Sequence, residues 1–388
     1  MPTRTAARSA ALARIPDTAA LDDRIAVARQ TARVIWRGQD LALMALPELI
    51  ARTPGRRERE RLFAAWREGL EALNPLLEQR LDAWTAGGDV IARAAGGGLD
   101  AQRLAVELER FVLDSETPYY AALRRYLALL DIEQGDGTEG DLWHVARGTA
   151  WAHWFGDREV RRAVERAGRT AVADAGFDGW RAAEAMLGGS QGAEHSAGRS
   201  AVDGAYASVV GSPIWLRDDL GVVAGEVPAL SDFIAFVHLW RIRRLVSVLG
   251  YELRLFAPGG ASDTALARAY YAGMVGHMTG VHVPEEAYLA DVSAPFASAH
   301  AIRDLLLAAQ VVEVLEQRHG DAWWRDPNAV ELIGTIGAAT SPEDVLAQLG
   351  YDSLDWRPVL RQIRTRLIGE MSGYGGPNIT TRAGTRKV

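Results

Sequence analysis

Apolar residues along most of the chain recur every three or four positions, a spacing typical of helices that bury one face. Runs in which apolar and polar residues alternate between turn signals, the pattern expected of strands, are few. The sequence therefore predicts an all-α fold of many helices with little or no β-sheet. The predicted helices cover residues 21–36, 56–84, 101–113, 118–131, 141–155, 157–174, 230–256, 263–278 and 294–319.

A polar, glycine-rich stretch, GGSQGAEHSAGRS, interrupts this helical pattern near the middle of the chain. We place a linker there, at residues 188–200, because such composition is typical of loops. It separates an N-terminal helical half (21–187) from a C-terminal helical half (201–372). Residues 1–20 are expected to form a flexible tail, and residues 373–388 a disordered one.

The charge of the chain narrows the choice of partners. The 388 residues include 43 basic and 50 acidic side chains, which gives a formal net charge of −7. This balance disfavours nucleic acid as a partner, because generic binding to phosphate backbones requires a basic surface. No apolar run approaches the roughly 18–20 residues of a membrane span, and the arginine-containing N-terminus does not resemble a secretory signal. We expect a cytoplasmic protein with no membrane partner.

Two residue types are nearly or completely missing, and their absence excludes several mechanisms. The chain has no cysteine, and Lys387 is its one lysine. Thiolate nucleophiles, iron–sulfur clusters, Schiff-base chemistry and a P-loop lysine are therefore not expected. Acid–base chemistry must come from histidines, carboxylates and tyrosines, and we predict no cofactor.

The long predicted helix of the C-terminal half carries the most informative polar residues. It is apolar enough to be buried on most sides, so its charges must be paired or must line a cavity. His238, Arg241 and Glu252 lie near one stripe of this helix, while Arg244 and Tyr251 lie on the adjacent stripe. Two interpretations stay open. The residues form a structural arginine–glutamate network, or they form a cleft wall that recognises a carboxylate or phosphate through Arg241 or Arg244.

A second polar group surrounds the start of the last long predicted helix. Asp291 is expected just before this helix, His300 and Arg303 lie one turn apart, and Asp304 follows His300 by four residues. A histidine–aspartate pair can orient an imidazole for proton transfer, although solvated surface pairs have the same spacing. Nearby histidines do not share one helix face as metal ligands would, so we predict no metal site.

Several short motifs of the C-terminal half match one known pattern. They are Arg243-Arg244, Tyr251-Glu252-Leu253, Tyr288-Leu289-Ala290-Asp291-Val292, Phe296, Ala299, Ile302 and Arg303. In these residues the chain resembles the zinc metallopeptidases of the thimet oligopeptidase and oligoendopeptidase F type, over about residues 110–370. The resemblance implies a helical body with a central channel between two halves, which would be the ligand site.

The metal-binding centre of that family has no counterpart here. No HExxH sequence occurs, and Glu194-His195 stands where the zinc helix would be expected. Asp203 replaces the glutamate that would be the third ligand, in a stretch that also contains Tyr206. The resemblance therefore implies an inherited scaffold without the peptidase chemistry.

Three functions stay open at this point. The first is an enzyme that performs a cyclisation, elimination or isomerisation on a small molecule in the channel by acid–base catalysis. The second is a non-catalytic pseudo-peptidase that binds a peptide or protein through some of the twelve tryptophans. The third is a residual metallohydrolase that uses Glu194, His195 and Asp203. The sequence leaves the oligomeric state open.

For the first function we assign residues to two roles. The predicted catalytic residues are His238, Tyr251, Glu252 and His300. The predicted substrate-binding residues are Arg241, Arg244, Tyr206, Arg303 and Asp291.

Overall fold

A computed structural model describes residues 18–96, 100–169, 179–188, 196–260 and 263–367. The predicted C-terminal tail, most of the N-terminal tail and the Glu194-His195 pair of the linker lie outside the described residues. Within them the protein is almost entirely helical, which confirms the predicted all-α class. None of the helices in these ranges combines the length and apolar character needed to cross a lipid bilayer.

The described α-helices differ widely in length. They are α1 (Ala19–Thr31), α2 (Leu46–Arg52), α3 (Arg56–Ala86), α4 (Val90–Gly96), α5 (Ala101–Ala128), α6 (Glu139–Ala146), α7 (Asp157–Arg166), α8 (Gly179–Gly188), α9 (Ala197–Ser208), α10 (Val227–Leu255), α11 (Thr264–Thr279), α12 (Ala297–His319), α13 (Ala329–Gly337), α14 (Pro342–Leu349) and α15 (Arg357–Arg364). Short 3₁₀ turns and one π-helical turn connect several of them.

The predicted helix 21–36 is wrong in its C-terminal part, where the chain forms a small β-hairpin. Helix α1 ends at Thr31, and strands β1 (Arg33–Trp36) and β2 (Gln39–Ala42) pair in an antiparallel register. The turn residues Arg37 and Gly38 both have positive φ, as a tight two-residue hairpin requires. The β-branched and aromatic residues of β1 favour a strand, and this local preference outweighs the helical spacing that continues from α1.

Helix α5 is continuous where the sequence predicts two helices, at 101–113 and 118–131. Pro118 lies inside the helix and cannot donate a backbone hydrogen bond to the carbonyl of Asp114. The side chain of Arg364 fills this gap, because its Nη2 donates to the Asp114 carbonyl at 2.8 Å. A tertiary contact therefore makes up for the bond that the proline removes, and no sequence-local signal reveals it.

The region after α5 is more broken than predicted. Helix α6 ends at Ala146, and a 3₁₀ turn (Thr149–Trp154) replaces the rest of the predicted helix 141–155. Gly148 adopts a left-handed conformation between the two segments, which interrupts the helix. Helix α7 ends at Arg166, before the predicted end at residue 174.

Helix α10 lies at the centre of the packing, as its apolar sequence indicates. It contacts α5, α11 and α12 along its length, and most of its side chains are buried. The buried Arg243 ties these helices together: its Nε donates to the carbonyl of Met278 at 2.9 Å, and its Nη1 donates to Ser115 Oγ at 2.8 Å. The guanidinium therefore satisfies neutral acceptors on two neighbouring segments.

Helices α9 and α13 approach each other closely at Gly198, whose backbone N–H donates to the carbonyl of Ala339 at 3.1 Å. A Cβ atom at Gly198 would lie 1.9 Å from the carbonyl oxygen of Ile336. Rigid backbone stands in its way, so the two helices would have to separate. Only glycine permits this approach.

We expect Gly198→Ala to lower the free energy of unfolding by roughly 1–3 kcal/mol, because the added methyl group overpacks the α9–α13 contact. Gly334→Ala is the matched control, since no atom lies within 4 Å of its Cβ position on α13 and alanine favours the helix. Denaturant unfolding of both variants measures the difference. Equal stabilities would contradict the proposed backbone contact.

Candidate functional site: a polar cavity beside α10

A cavity of about 520 Å³ lies between α8, α9, α10, α12 and α15. Its size suits a small organic molecule. Ile242, Leu305 and Ile363 give it an apolar part, while charged residues from four of the helices give it a polar part. No phenylalanine, tyrosine or tryptophan is among the described residues that line it.

Glu184, His238 and Arg241 form one polar cluster on the cavity wall. His238 and Arg241 lie one turn apart on α10, so both reach the same carboxylate on α8. His238 Nε2 is 3.0 Å from Glu184 Oε1, and Arg241 Nη1 donates to Glu184 Oε2 at 2.9 Å. The ring of Trp180 packs against both, with the Arg241 guanidinium 5.0 Å from its centroid.

Glu184 is held in its ionised form. Burial opposes its ionisation, but the charge of Arg241 and the hydrogen bond with His238 outweigh this effect and lower the pKa of Glu184 to about 2. An ionised carboxylate that bonds one imidazole nitrogen fixes the orientation of the ring. The cluster therefore provides an oriented proton-transfer group at the cavity surface.

Asp203 on α9 lines the same cavity and is bound by two arginines. Arg169 Nη2 lies 2.5 Å from one carboxylate oxygen, and Arg199 Nε lies 3.0 Å from the other. Arg169 also stacks over the ring of Tyr206, at 4.6 Å from its centroid. Tyr206, a predicted substrate-binding residue, is buried against Trp323 and is not among the residues that line the cavity.

On α12, Asp304 lines the cavity but does not pair with His300 as the sequence suggests. Its Oδ1 accepts hydrogen bonds from Nε and Nη2 of Arg303, at 3.0 and 2.9 Å. His300 is exposed, and within the described residues no hydrogen bond or ion pair joins it to Asp304. Arg303 therefore reaches the cavity indirectly, through its neighbour.

Arg366, just after α15, also lines the cavity. Its Nη1 donates to the carbonyl of Ser208 at 3.3 Å, and among the described residues no carboxylate lies within 4.0 Å of its guanidinium. Burial lowers its pKa, and the charge of Glu316 opposes this effect from a longer distance.

Arg244 and Asp291, both predicted to bind substrate, form a separate, partly buried cluster away from the cavity-lining set. Arg244 Nε donates to Glu139 Oε1 at 2.6 Å, and Arg244 Nη2 donates to Asp291 Oδ2 at 2.7 Å. The hydroxyl of Tyr271 donates to the same Asp291 oxygen. These residues therefore form the arginine–carboxylate network that was one of the two interpretations of the sequence.

Glu252 and Tyr251, predicted to be catalytic, also lie outside the cavity lining. Both are completely buried. Ser298 Oγ donates to Glu252 Oε2, and the backbone N–H groups at the start of α12 also hydrogen-bond this carboxylate. Glu252 therefore caps α12, whose own N-cap residue Phe296 supplies no side-chain bond. The Tyr251 hydroxyl has no partner among the described residues, and burial raises its pKa.

Burial raises the pKa of Glu252 to about 7, against the opposing effect of the α12 hydrogen bonds. The folded protein thus keeps a proton that the unfolded chain loses near pH 4.5. The resulting stabilisation is complete below pH 4.5 and disappears as the pH rises through 7.

We therefore expect the stability of the wild type, relative to Glu252→Gln, to fall by roughly 2–3 kcal/mol between pH 5 and pH 8. Denaturant unfolding of both proteins at both pH values tests this, and the comparison cancels the titration of other groups. A stability difference that does not change with pH would refute the assignment.

Glu184→Gln should lower the free energy of unfolding at pH 7 by roughly 2–3 kcal/mol, because Arg241 loses its counter-charge in a partly buried site. The effect should shrink as the pH falls from 4.5 towards 2, where the depressed folded-state pKa allows Glu184 to become protonated. Glu226→Gln is the control, since this exposed carboxylate also faces a histidine, His153, at 3.7 Å. If Glu184→Gln lowers the free energy of unfolding no more than Glu226→Gln does, the ion pair between Glu184 and Arg241 does not contribute as described.

No group of three or more histidine, cysteine, aspartate or glutamate side chains is placed to hold a metal ion in the described ranges. Asp203 is engaged by arginines, and Glu194 and His195 lie outside these ranges. Comparison of the chain with models of known protein families and with curated proteins found no match.

The sequence predicts His238 and Arg241 as cavity residues but gives no indication of Glu184 and Arg366, which line the same cavity. Glu184 lies on a short helix beside the predicted linker, and Arg366 follows a short C-terminal helix that the sequence pattern does not predict. Neither belongs to a recognisable motif. The sequence does indicate that Arg241 needs a carboxylate partner, because it lies on a buried helix. It does not indicate which carboxylate of the chain is that partner.

Proposed function

We propose that the protein is an enzyme that acts on a small molecule in this cavity by acid–base catalysis, with His238 as the proton-transferring group. The observation that carries the proposal is the cluster of Glu184, His238 and Arg241 on the wall of a cavity large enough for a substrate. Glu184 orients His238, and Arg241 holds Glu184 ionised.

Proton transfer by an oriented imidazole serves a limited set of reactions. Each of a cyclisation, an elimination and an isomerisation can use one group that removes a proton and then delivers it elsewhere, and His238 can do both. In an isomerisation the proton returns to another position of the substrate, in an elimination it goes to the leaving group, and in a cyclisation it passes from the attacking group to the group that accepts the new bond. Binding in a fixed orientation would supply the rest of the rate acceleration. We propose no role for His300, Tyr251 or Glu252 in proton transfer, since their side chains are not part of this wall.

The proposed ancestry is a thimet-type scaffold that lacks HExxH, and the roles of the matching residues support it. Arg243 crosslinks α10 to its neighbours, Arg244 holds the buried Glu139–Asp291 cluster, and Glu252 caps α12. Because these residues stabilise the helical scaffold, they would be kept in a descendant that has lost its metal centre. We further propose that the protein is cytoplasmic and that its partner is a small-molecule ligand.

A non-catalytic ligand-binding protein is the second candidate. Arginines neutralise each of the three carboxylates in the cavity lining, Glu184, Asp203 and Asp304, and this favours binding over chemistry. The apolar part of the cavity is aliphatic, so tryptophan anchors for a peptide are missing from the described lining. This candidate therefore also takes a small molecule.

His238→Gln separates the two candidates, because the glutamine amide can keep the bond to Glu184 but cannot titrate. Purified protein is incubated with a metabolite extract, and consumption of each compound is followed by mass spectrometry. We expect the variant to lose about 10²–10⁴-fold in rate, whereas His153→Gln, at an exposed histidine that also faces a carboxylate, should behave as the wild type.

Consumption that is equal in His238→Gln and the wild type would refute the catalytic role. A compound that is retained by the protein but not converted would instead support the binding candidate.

A further inference from the structure

We propose that Arg366 binds an oxyanion, the carboxylate or phosphate group of the molecule that occupies the cavity. This proposal rests on the proposed function of the same cavity and names the chemical class of its ligand. It starts from the position of Arg366, which follows α15 and lines the cavity together with Gln362 and Ile363.

The guanidinium of Arg366 has unused hydrogen-bonding capacity. It carries five N–H donors, and the hydrogen bond it forms with the described residues is the one to Ser208. Arg243, by comparison, is equally remote from carboxylates but bonds three neutral acceptors. Arg366 is therefore not satisfied in the way that the structural arginine of the core is.

The position of Arg366 makes this lack of partners costly. Burial lowers its pKa, and the one carboxylate that counteracts this, Glu316, lies beyond ion-pair distance. Arg366 is partly buried, and a charge that is partly withdrawn from water without a counter-ion lowers the stability of the folded protein. A ligand oxyanion could accept two parallel N–H bonds from the guanidinium and supply the missing negative charge.

The charges around the cavity favour the same class of ligand. Three carboxylates line it, and each is already bound by arginine. The arginines that line the cavity or bind these carboxylates are Arg169, Arg199, Arg241, Arg303 and Arg366. Together with Glu316, the carboxylate whose charge acts on Arg366, these groups comprise five arginines and four carboxylates, although the whole chain has a net charge of −7. A local excess of positive charge attracts an anionic molecule.

Local backbone makes room for the guanidinium. A Cβ atom at Gly211 would lie 2.6 Å from Nη1 of Arg366, so a side chain at this position would displace the guanidinium. The absence of a side chain at Gly211 therefore leaves room for the guanidinium.

Nuclear magnetic resonance of protein labelled with ¹⁵N-arginine tests the proposal, with inorganic phosphate, acetate and neutral acetamide as probes at constant ionic strength. Arg366→Gln assigns the Nε–Hε signal of Arg366, and Arg366→Lys does so if the glutamine variant does not fold. We expect this signal to shift saturably with phosphate or acetate, and whichever probe saturates at lower concentration identifies the group. Acetamide should cause no shift.

Arg357→Gln is the matched control, because Arg357 lies on α15, is exposed and already pairs with Asp355. The titration of the Arg366 signal should be unchanged in this variant. An Arg366 signal that does not move, or that moves equally with acetamide, would overturn the proposal and leave Arg366 as a partner of the Ser208 carbonyl alone. A saturable shift of the Arg366 signal together with unchanged metabolite consumption by His238→Gln would refute the catalytic role of His238 and leave the oxyanion site standing, so the two proposals fail separately.

Discussion

Burial of α10 on almost every side is the constraint on which the rest of the structure depends. A helix inside a core cannot leave its polar groups to water, so a buried charge on it needs a partner in the protein. Arg243 meets this demand with carbonyl and hydroxyl oxygens, and Glu252 meets it with the start of α12. Where α10 borders the cavity, its polar residues His238 and Arg241 face a space that a ligand can enter.

The sequence pattern predicted the helical class, the long helix α10 and the need to pair its charges. Arg244 and Arg241 both pair with carboxylates, as the network interpretation describes, and Arg241 also lines the cavity. Recognition of an anion by Arg241 stays a prediction. What the sequence could not provide is pairing between distant segments. Glu184, on a helix more than fifty residues before its partner, lies 3.0 Å from His238 on α10. The spacing of apolar residues around either residue does not indicate the other as its partner.

The errors in secondary structure have a related origin. The β-branched residues of β1 and the glycine turn favour the hairpin after α1. The apolar spacing of α1 continues into β1 without interruption, so the pattern alone predicts one long helix. The continuity of α5 is decided by Arg364, far away in the sequence, which satisfies the carbonyl that Pro118 leaves free. Local propensity is a weak prior wherever tertiary contacts can compensate a broken backbone bond.

That bond between Arg364 and the carbonyl of Asp114 also bears on the order in which the molecule can be assembled. During synthesis α5 emerges long before α15, so the Asp114 carbonyl can accept the hydrogen bond of Arg364 only after the late segment has been made, and until then it is left to water. The same late segment brings Arg366 to its place. Completion of the cavity is therefore coupled to one of the most sequence-distant contacts of the chain, and contacts of this kind form slowly.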